Sequence, residues 1–116
     1  MEENYKQKLN WNEFMRVEMR VGTIIEAGLL ENVRDPAYKL KVDFGEFGVK
    51  KSSAQITKLY PPDNIIGKQV IAVINFPVKQ IGTFMSECLI LGAIGSDKAV
   101  TLIEPERKVK NGLRIG

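Results

Sequence analysis

The 116-residue chain has no histidine and a single cysteine, Cys88. Without histidine, the commonest general base and the commonest metal ligand are both missing, and so is every Ser-His or Cys-His nucleophilic pair. One thiol cannot form an intramolecular disulfide, and neither a cysteine pair nor an HExxH spacing exists to hold zinc. Cys88 itself sits in the apolar run CLILGAI and reads as a buried strand residue, packed as a small hydrophobe. No apolar run approaches the ~20 residues that cross a bilayer as a helix. The opening MEENYKQKLN is polar and carries both signs of charge, unlike a secretory signal, so a cytoplasmic location without membrane insertion is the expectation. Aromatic residues are scarce, at 8%, which limits base stacking. Together these absences point to a binding protein, with no catalytic residue, no metal and no cofactor expected.

What is present fits one small domain with its own core. The hydrophobic share is 44%, ordinary for a soluble fold, and the length lies within the usual size of one domain. Net charge is +3, too mild an excess to identify an anionic partner by its total alone.

Residues 1–11 read as an N-terminal tail and 12–116 as one domain. Asn10 is placed to cap a short helix reaching Met15, with Trp11, Phe14 and Met15 on or near one face. So short an amphipathic turn needs something to dock on. It either plugs one end of the fold or makes a dimer contact. From Val17 the period changes to two: Val17, Met19, Val21, Thr23 and Ile25 face one way, and Arg16, Glu18, Arg20 and Glu26 the other. Gly22 within this strand signals a bulge or sharp bend. A second strand carries Tyr38, Leu40, Val42 and Phe44 in alternation with Lys39, Lys41 and Asp43, and Val49 to Gln55 return as its hairpin partner across Gly45–Gly48. Thr57 to Tyr60 predict one helical turn ended by Pro61 and Pro62. The run QVIAVINF, dense in β-branched residues, predicts a buried strand over Lys68–Phe76, followed by a loop from Pro77 to Glu87. Cys88–Ala93 and Ala99–Ile103 make a hairpin across Gly95-Ser96-Asp97, and Asn111-Gly112 predict a tight turn with Val109 pairing to Leu113 or Ile115. Several short strands with regular turn signals and almost no helix favour a barrel or sandwich.

The stretch MRVEMRVGTIIEA is similar to the opening strand of the tRNA-binding-domain family. KKSSAQITKLYPPDNIIGKQVIAVINFPVKQIGTFMSECLILGAIG resembles the free-standing CsaA branch, described as export-related chaperones, and KVKNGLRIG is similar to the family's ending. The resemblance covers roughly residues 12–116. It implies an all-β, five-stranded OB-fold barrel with a short N-terminal helix and extra C-terminal strands. It also implies a homodimer and no catalysis. Where related domains carry Ser-x-Gly-Met, this chain has Ser86-Glu87-Cys88-Leu89, so only the serine matches.

In this barrel class ligands cross the face of strands 2 and 3, between the loops joining strands 1–2 and 4–5. Candidate tRNA-binding residues on that reading are Arg34, Lys39, Lys50, Lys51 and Lys79 for phosphates, with Ser53, Asn75 and Ser86 to fix register. Lys41 lies on the same polar side of its strand. Ile81, Phe84 and Met85 form an apolar loop suited to unfolded polypeptides, or else buried in a dimer interface, and Trp11, Phe14 and Met15 are the other interface candidates. Two functions compete: a homodimeric chaperone for unfolded or export-destined polypeptides, and a structure-selective tRNA binder related to the domain appended to methionyl-tRNA synthetases.

Overall fold

The computed structural model describes residues 7–116, and the first six residues of the expected tail lie outside the described residues. Asn10 caps helix α1 (Trp11–Met15) through a capping box, its side chain accepting the Glu13 N–H at 2.8 Å while Glu13 Oε1 accepts the Asn10 N–H at 2.9 Å. The helix buries none of its residues, so it does not plug the barrel.

Strands β1 (Met19–Leu29), β2 (Tyr38–Asp43), β3 (Val49–Ala54), β4 (Gln69–Val73) and β7 (Leu89–Ile90) form one antiparallel sheet in the order β3-β2-β1-β4-β7. β2 keeps the expected alternation, with Tyr38, Leu40 and Val42 buried and Lys39 and Lys41 exposed, and Phe44 continues the inward set. Every residue of β4 is buried, as a strand with neighbours on both edges and cover on both faces requires.

β1 departs from the expected parity. Its core-facing residue is Ile24, while Ile25 is 42% exposed. The register passes from Ile24↔Val42 to Glu26↔Lys41, so Ile25 is the extra residue of a bulge that bends the strand into the barrel wall. Gly22 serves a different purpose from the predicted bend. A Cβ there would lie 2.6 Å from Val42 Cγ1 and from Phe44 Cε1, so only glycine lets these core side chains pack against the strand. Val21 is buried on the opposite face, and residues 109–115 run along the edge of β1 beyond the end of β2. Gly112 N–H donates to Val21 O at 2.7 Å, and Val21 N–H to Leu113 O at 3.0 Å. The Asn111-Gly112 turn forms, but its arms pair with β1 and Gln69 rather than with each other: the Gln69 amide accepts Val109 N–H and donates to Val109 O.

Two further expectations are corrected. Thr57–Leu59 make a turn rather than a helix, and Pro62 opens a 3-10 turn over Pro62–Asn64 because proline suits a first helical position. The Pro77–Glu87 connection contains a β-hairpin, β5 (Lys79–Ile81) with β6 (Phe84–Ser86), joined by Gly82-Thr83 with Gly82 at φ +62°. β8 (Gly92–Ile94) and β9 (Val100–Leu102) form the extra C-terminal hairpin.

The barrel nearly closes between β3 and the chain around Ser86–Cys88. Glu87 N–H donates to Lys51 O at 2.7 Å, Lys51 N–H to Glu87 Oε1 at 2.8 Å, and Ser53 N–H to Ser86 Oγ at 3.1 Å. Inside lie Ile24, Tyr38, Leu40, Val42, Phe44, Ile56, Ile65, Val70 and Ala72. The result is an OB-fold-like, nearly closed five-stranded antiparallel barrel with a short N-terminal helix and extra C-terminal strands.

Candidate functional site

The β5–β6 hairpin divides the surface beside the barrel seam into two concavities of opposite character. Cross-strand register puts Lys79, Ile81, Phe84 and Ser86 on one hairpin face and Gln80 and Met85 on the other. The Ile81-Phe84-Met85 trio is not one surface: Met85 faces outward, and Ile81 and Phe84, half-buried cross-strand partners on one hairpin face, line different concavities.

On the Phe84 side, a hollow of about 330 Å³ opens on the outer face of β1–β3, lined by Glu26, Lys39, Lys41, Lys51 and Phe84. Lys41 and Lys51 are direct cross-strand partners, and like charges so placed repel. Part of that repulsion is offset locally. Glu26 Oε1 lies 3.6 Å from Lys41 Nζ, and Lys51 Nζ sits 5.6 Å from the centre of the Phe84 ring. An anion in the hollow would relieve the remainder. Lys50 does not join this set. It pairs with Val42, whose side chain is wholly buried, so it lies on the inward side of β3 near the barrel mouth.

On the Ile81 side, two adjoining hollows of about 300 and 380 Å³ share Ser53, Lys79, Ile81 and Leu89 and form one groove. Its walls are mainly apolar, with Phe76 and Pro77 at one end, Ile81 and Leu89 in the middle and Ile94 at the other, and with Ser53, Gln55 and Asp35 among the polar lining. Ile94 is 85% exposed and Phe76 54%, unusual for large apolar side chains and consistent with a contact surface. Lys79 makes no ion pair among the described residues and supplies the groove's positive charge.

Arg34 is exposed in the loop after β1 and lines neither concavity. The Ser86 hydroxyl is buried in the seam, accepting from Ser53 N–H and donating to Cys88 O at 3.4 Å. Both ends of the Asn75 amide are engaged by the chain itself, with Oδ1 accepting Glu18 N–H at 3.0 Å and Nδ2 donating to Arg16 O at 2.7 Å. Trp11, 83% exposed, and Met15 stand out from the barrel on α1, and Phe14 is partly covered. Sequence reasoning missed Glu26, Phe76, Leu89 and Ile94. Ile94 carried a signal, an apolar residue directly before the turn glycine Gly95. Cys88 is buried immediately before β7, and burial pushes its thiol up to about 11, so it is neither exposed nor ionised at neutral pH. Among the described residues, no three His, Cys, Asp or Glu side chains are grouped to hold a metal ion, and no helix is long and apolar enough to cross a membrane.

Comparison with known proteins agrees with this geometry. Residues 19–114 match the family described as "Putative tRNA binding domain". The solved chaperone CsaA of Bacillus anthracis is 42% identical, superposes with a TM-score of 0.91, and is matched over 100% of its chain and 95% of this one. The CsaA chaperone protein of Picrophilus torridus is 45% identical, with a TM-score of 0.88 over 100% of its chain and 94% of this one. Methionine–tRNA ligase of Leptospira interrogans is 33% identical over 108 residues, which are 93% of this chain but span only 15% of the ligase. The chain therefore belongs to the tRNA-binding-domain family and, within it, to the CsaA-type proteins.

Proposed function

We propose that this protein is a non-enzymatic, homodimeric chaperone that holds unfolded or export-destined polypeptides in the groove between the β5–β6 hairpin and β7–β8, working in the cytoplasm as a single domain over residues 12–116. The observation that carries this reading is the continuous apolar wall of Phe76, Pro77, Ile81, Leu89 and Ile94, exposed beside a barrel whose core is already complete without it. Such a groove takes extended chain segments by their side chains, and Lys79 adds a preference for segments carrying a carboxylate. Membership among CsaA-type proteins, whose solved relatives are titled chaperones, supports the same conclusion. The direct test is suppression of aggregation of a reduced, unfolded protein, with retained monodispersity of the chaperone. Failure to bind any unfolded chain at micromolar concentration overturns the reading.

The dimer rests on α1. Trp11 and Met15 are exposed on a five-residue helix beside exposed Leu9 and Val17, an apolar patch that a second copy would cover. Sedimentation showing only monomer at micromolar concentration counts against it.

A second reading is favoured by the basic hollow. Lys39, Lys41 and Lys51 around Phe84 suit an RNA phosphate with a neighbouring base on the ring, as tRNA binding in the wider family would need. Arg34 and Lys79 extend the positive field on either side. The two readings use different concavities beside one hairpin and are separable by mutation.

A further inference from the structure

A five-residue helix with no fully buried residue, only Phe14 being partly covered, has little packing to fix its direction, and isolated helices this short are unstable in water. α1 is nonetheless held in one pose. Two side chains distant in sequence take up the main-chain groups where α1 meets β1. Arg114 Nη2 donates to Met15 O at 3.0 Å and to Val17 O at 3.3 Å. Asn75 Nδ2 donates to Arg16 O at 2.7 Å, while its Oδ1 accepts Glu18 N–H at 3.0 Å. The backbone adds one bond on each flank, Ile74 N–H to Glu18 O and Ile115 N–H to Met19 O, both at 2.9 Å. The carbonyls left open at a helix C-terminus are thus capped from β4's end on one side and from the C-terminal segment on the other.

We infer that Asn75 and Arg114 are positioning residues of the subunit interface: they clamp the α1–β1 junction so that Trp11 and Met15 are held clear of the barrel for a second copy of the chain. The inference rests on the homodimer reading above and deepens it. A helix tethered by packing would bury Trp11 against its own barrel. A helix tethered by four polar bonds at its C-terminal end leaves Trp11 and Met15 free, with its orientation already set. Preorganisation of this kind lowers the ordering cost of association. The clamp also explains why Asn75, two residues past the end of the buried strand β4, is an amide. It must donate and accept at once, toward two main-chain groups two residues apart.

Trp11 is the only tryptophan in the chain, so its fluorescence reports α1 alone. Sedimentation equilibrium and Trp11 anisotropy are measured on the wild type and on Trp11→Ala (sedimentation only), Asn75→Ala, Asn75→Asp and Arg114→Ala. Asn75→Ala and Arg114→Ala are expected to raise the dimer dissociation constant at least tenfold. At dilutions where every variant is monomeric, they should also lower Trp11 anisotropy, because the helix swings freely. A residue needed only for barrel stability would not lower it while the barrel remains folded by circular dichroism. Asn75→Asp keeps the acceptor and loses the donor, so an intermediate loss is expected, and it carries the test if Asn75→Ala does not fold. If Trp11→Ala dissociates the dimer while the Asn75 and Arg114 variants keep wild-type affinity and anisotropy, the clamp is refuted and the dimer reading stands. If Trp11→Ala leaves the dimer intact, or the wild type is monomeric, the dimer reading fails and the clamp's proposed purpose fails with it.

Discussion

Glu87 stands opposite Lys51 across the seam of the barrel as a strand residue would, yet only half of the pairing is backbone to backbone. Its N–H donates to Lys51 O at 2.7 Å, and its own side-chain oxygen Oε1 accepts Lys51 N–H at 2.8 Å, where a ladder would supply a carbonyl. β3 and β7 are the two ends of the five-stranded sheet and share no ladder, so this carboxylate closes the barrel beside both concavities.

Glu87→Ala leaves the Lys51 N–H without its partner at a part-buried site, an expected loss of about 1–3 kcal/mol in urea unfolding. Glu87→Gln keeps an amide oxygen at the same reach and is expected to lose less than half as much. Equal losses for the two variants would mean that the seam bond contributes nothing specific.

Gly22→Ala introduces a methyl 2.6 Å from Val42 Cγ1 and Phe44 Cε1, within the closed core. Overpacking of this kind is expected to cost about 1–3 kcal/mol. Val42→Ala in the same chain vacates part of that space, so the double variant should be more stable than the sum of the two single losses predicts. Strict additivity would show that the strand moves aside instead.

The Cys88 thiol is raised to about 11 chiefly by burial, above its value in an unfolded chain. The folded state therefore holds the proton more tightly, and the stability this confers is complete below the unfolded thiol's pKa and declines as pH rises toward about 11. Cys88→Ala should remove that part of the slope when unfolding curves of the two proteins are compared across this range. In the native protein at pH 8, Cys88 should react with a thiol reagent only as fast as the protein opens.

The residues that could be read from sequence are those whose environment is set by neighbours in the same strand or hairpin. β2 is the clear case: alternation placed Tyr38, Leu40, Val42 and Phe44 inside and Lys39 and Lys41 outside. β1 was harder because Val21 and Ile24, on opposite faces of the strand, are both buried, which obscures parity. The bulge at Ile25 then shifts the frame by one residue. The same single-residue logic separates Lys50 from Lys51, neighbours in sequence on opposite faces of β3. The β5–β6 hairpin was hidden by its brevity: strands of three residues show no period, although Gly82 ahead of Thr83 is a usable turn signal. The division of Ile81 from Phe84 between two concavities depends on how that hairpin lies on the barrel, which no local pattern encodes.

That separation of lysines gives a sharp test on the RNA side. With tRNA as the probe, Lys39→Ala, Lys41→Ala and Lys51→Ala combined should flatten the slope of log affinity against log salt by roughly two to three units. Lys50→Ala alone should leave the slope unchanged, because its side chain lies on the inward side of β3. A slope indifferent to the triple change would make the basic hollow an ordinary solvated surface.

The most direct test of the chaperone reading is a titration of a fluorescently labelled, permanently unfolded polypeptide into the wild type and Leu89→Ser, at low salt and at ~0.5 M salt. Leu89 lies in the middle of the groove and is already partly exposed, so the barrel should tolerate the change. Burying such a side chain against a ligand is worth about 1.5–3 kcal/mol, and 1.4 kcal/mol is a factor of ten. The account predicts that wild-type affinity survives high salt and that Leu89→Ser weakens it about tenfold or more at both salt concentrations while tRNA binding is unchanged. A folded, dimeric Leu89→Ser protein that binds the polypeptide as tightly as the wild type would contradict it.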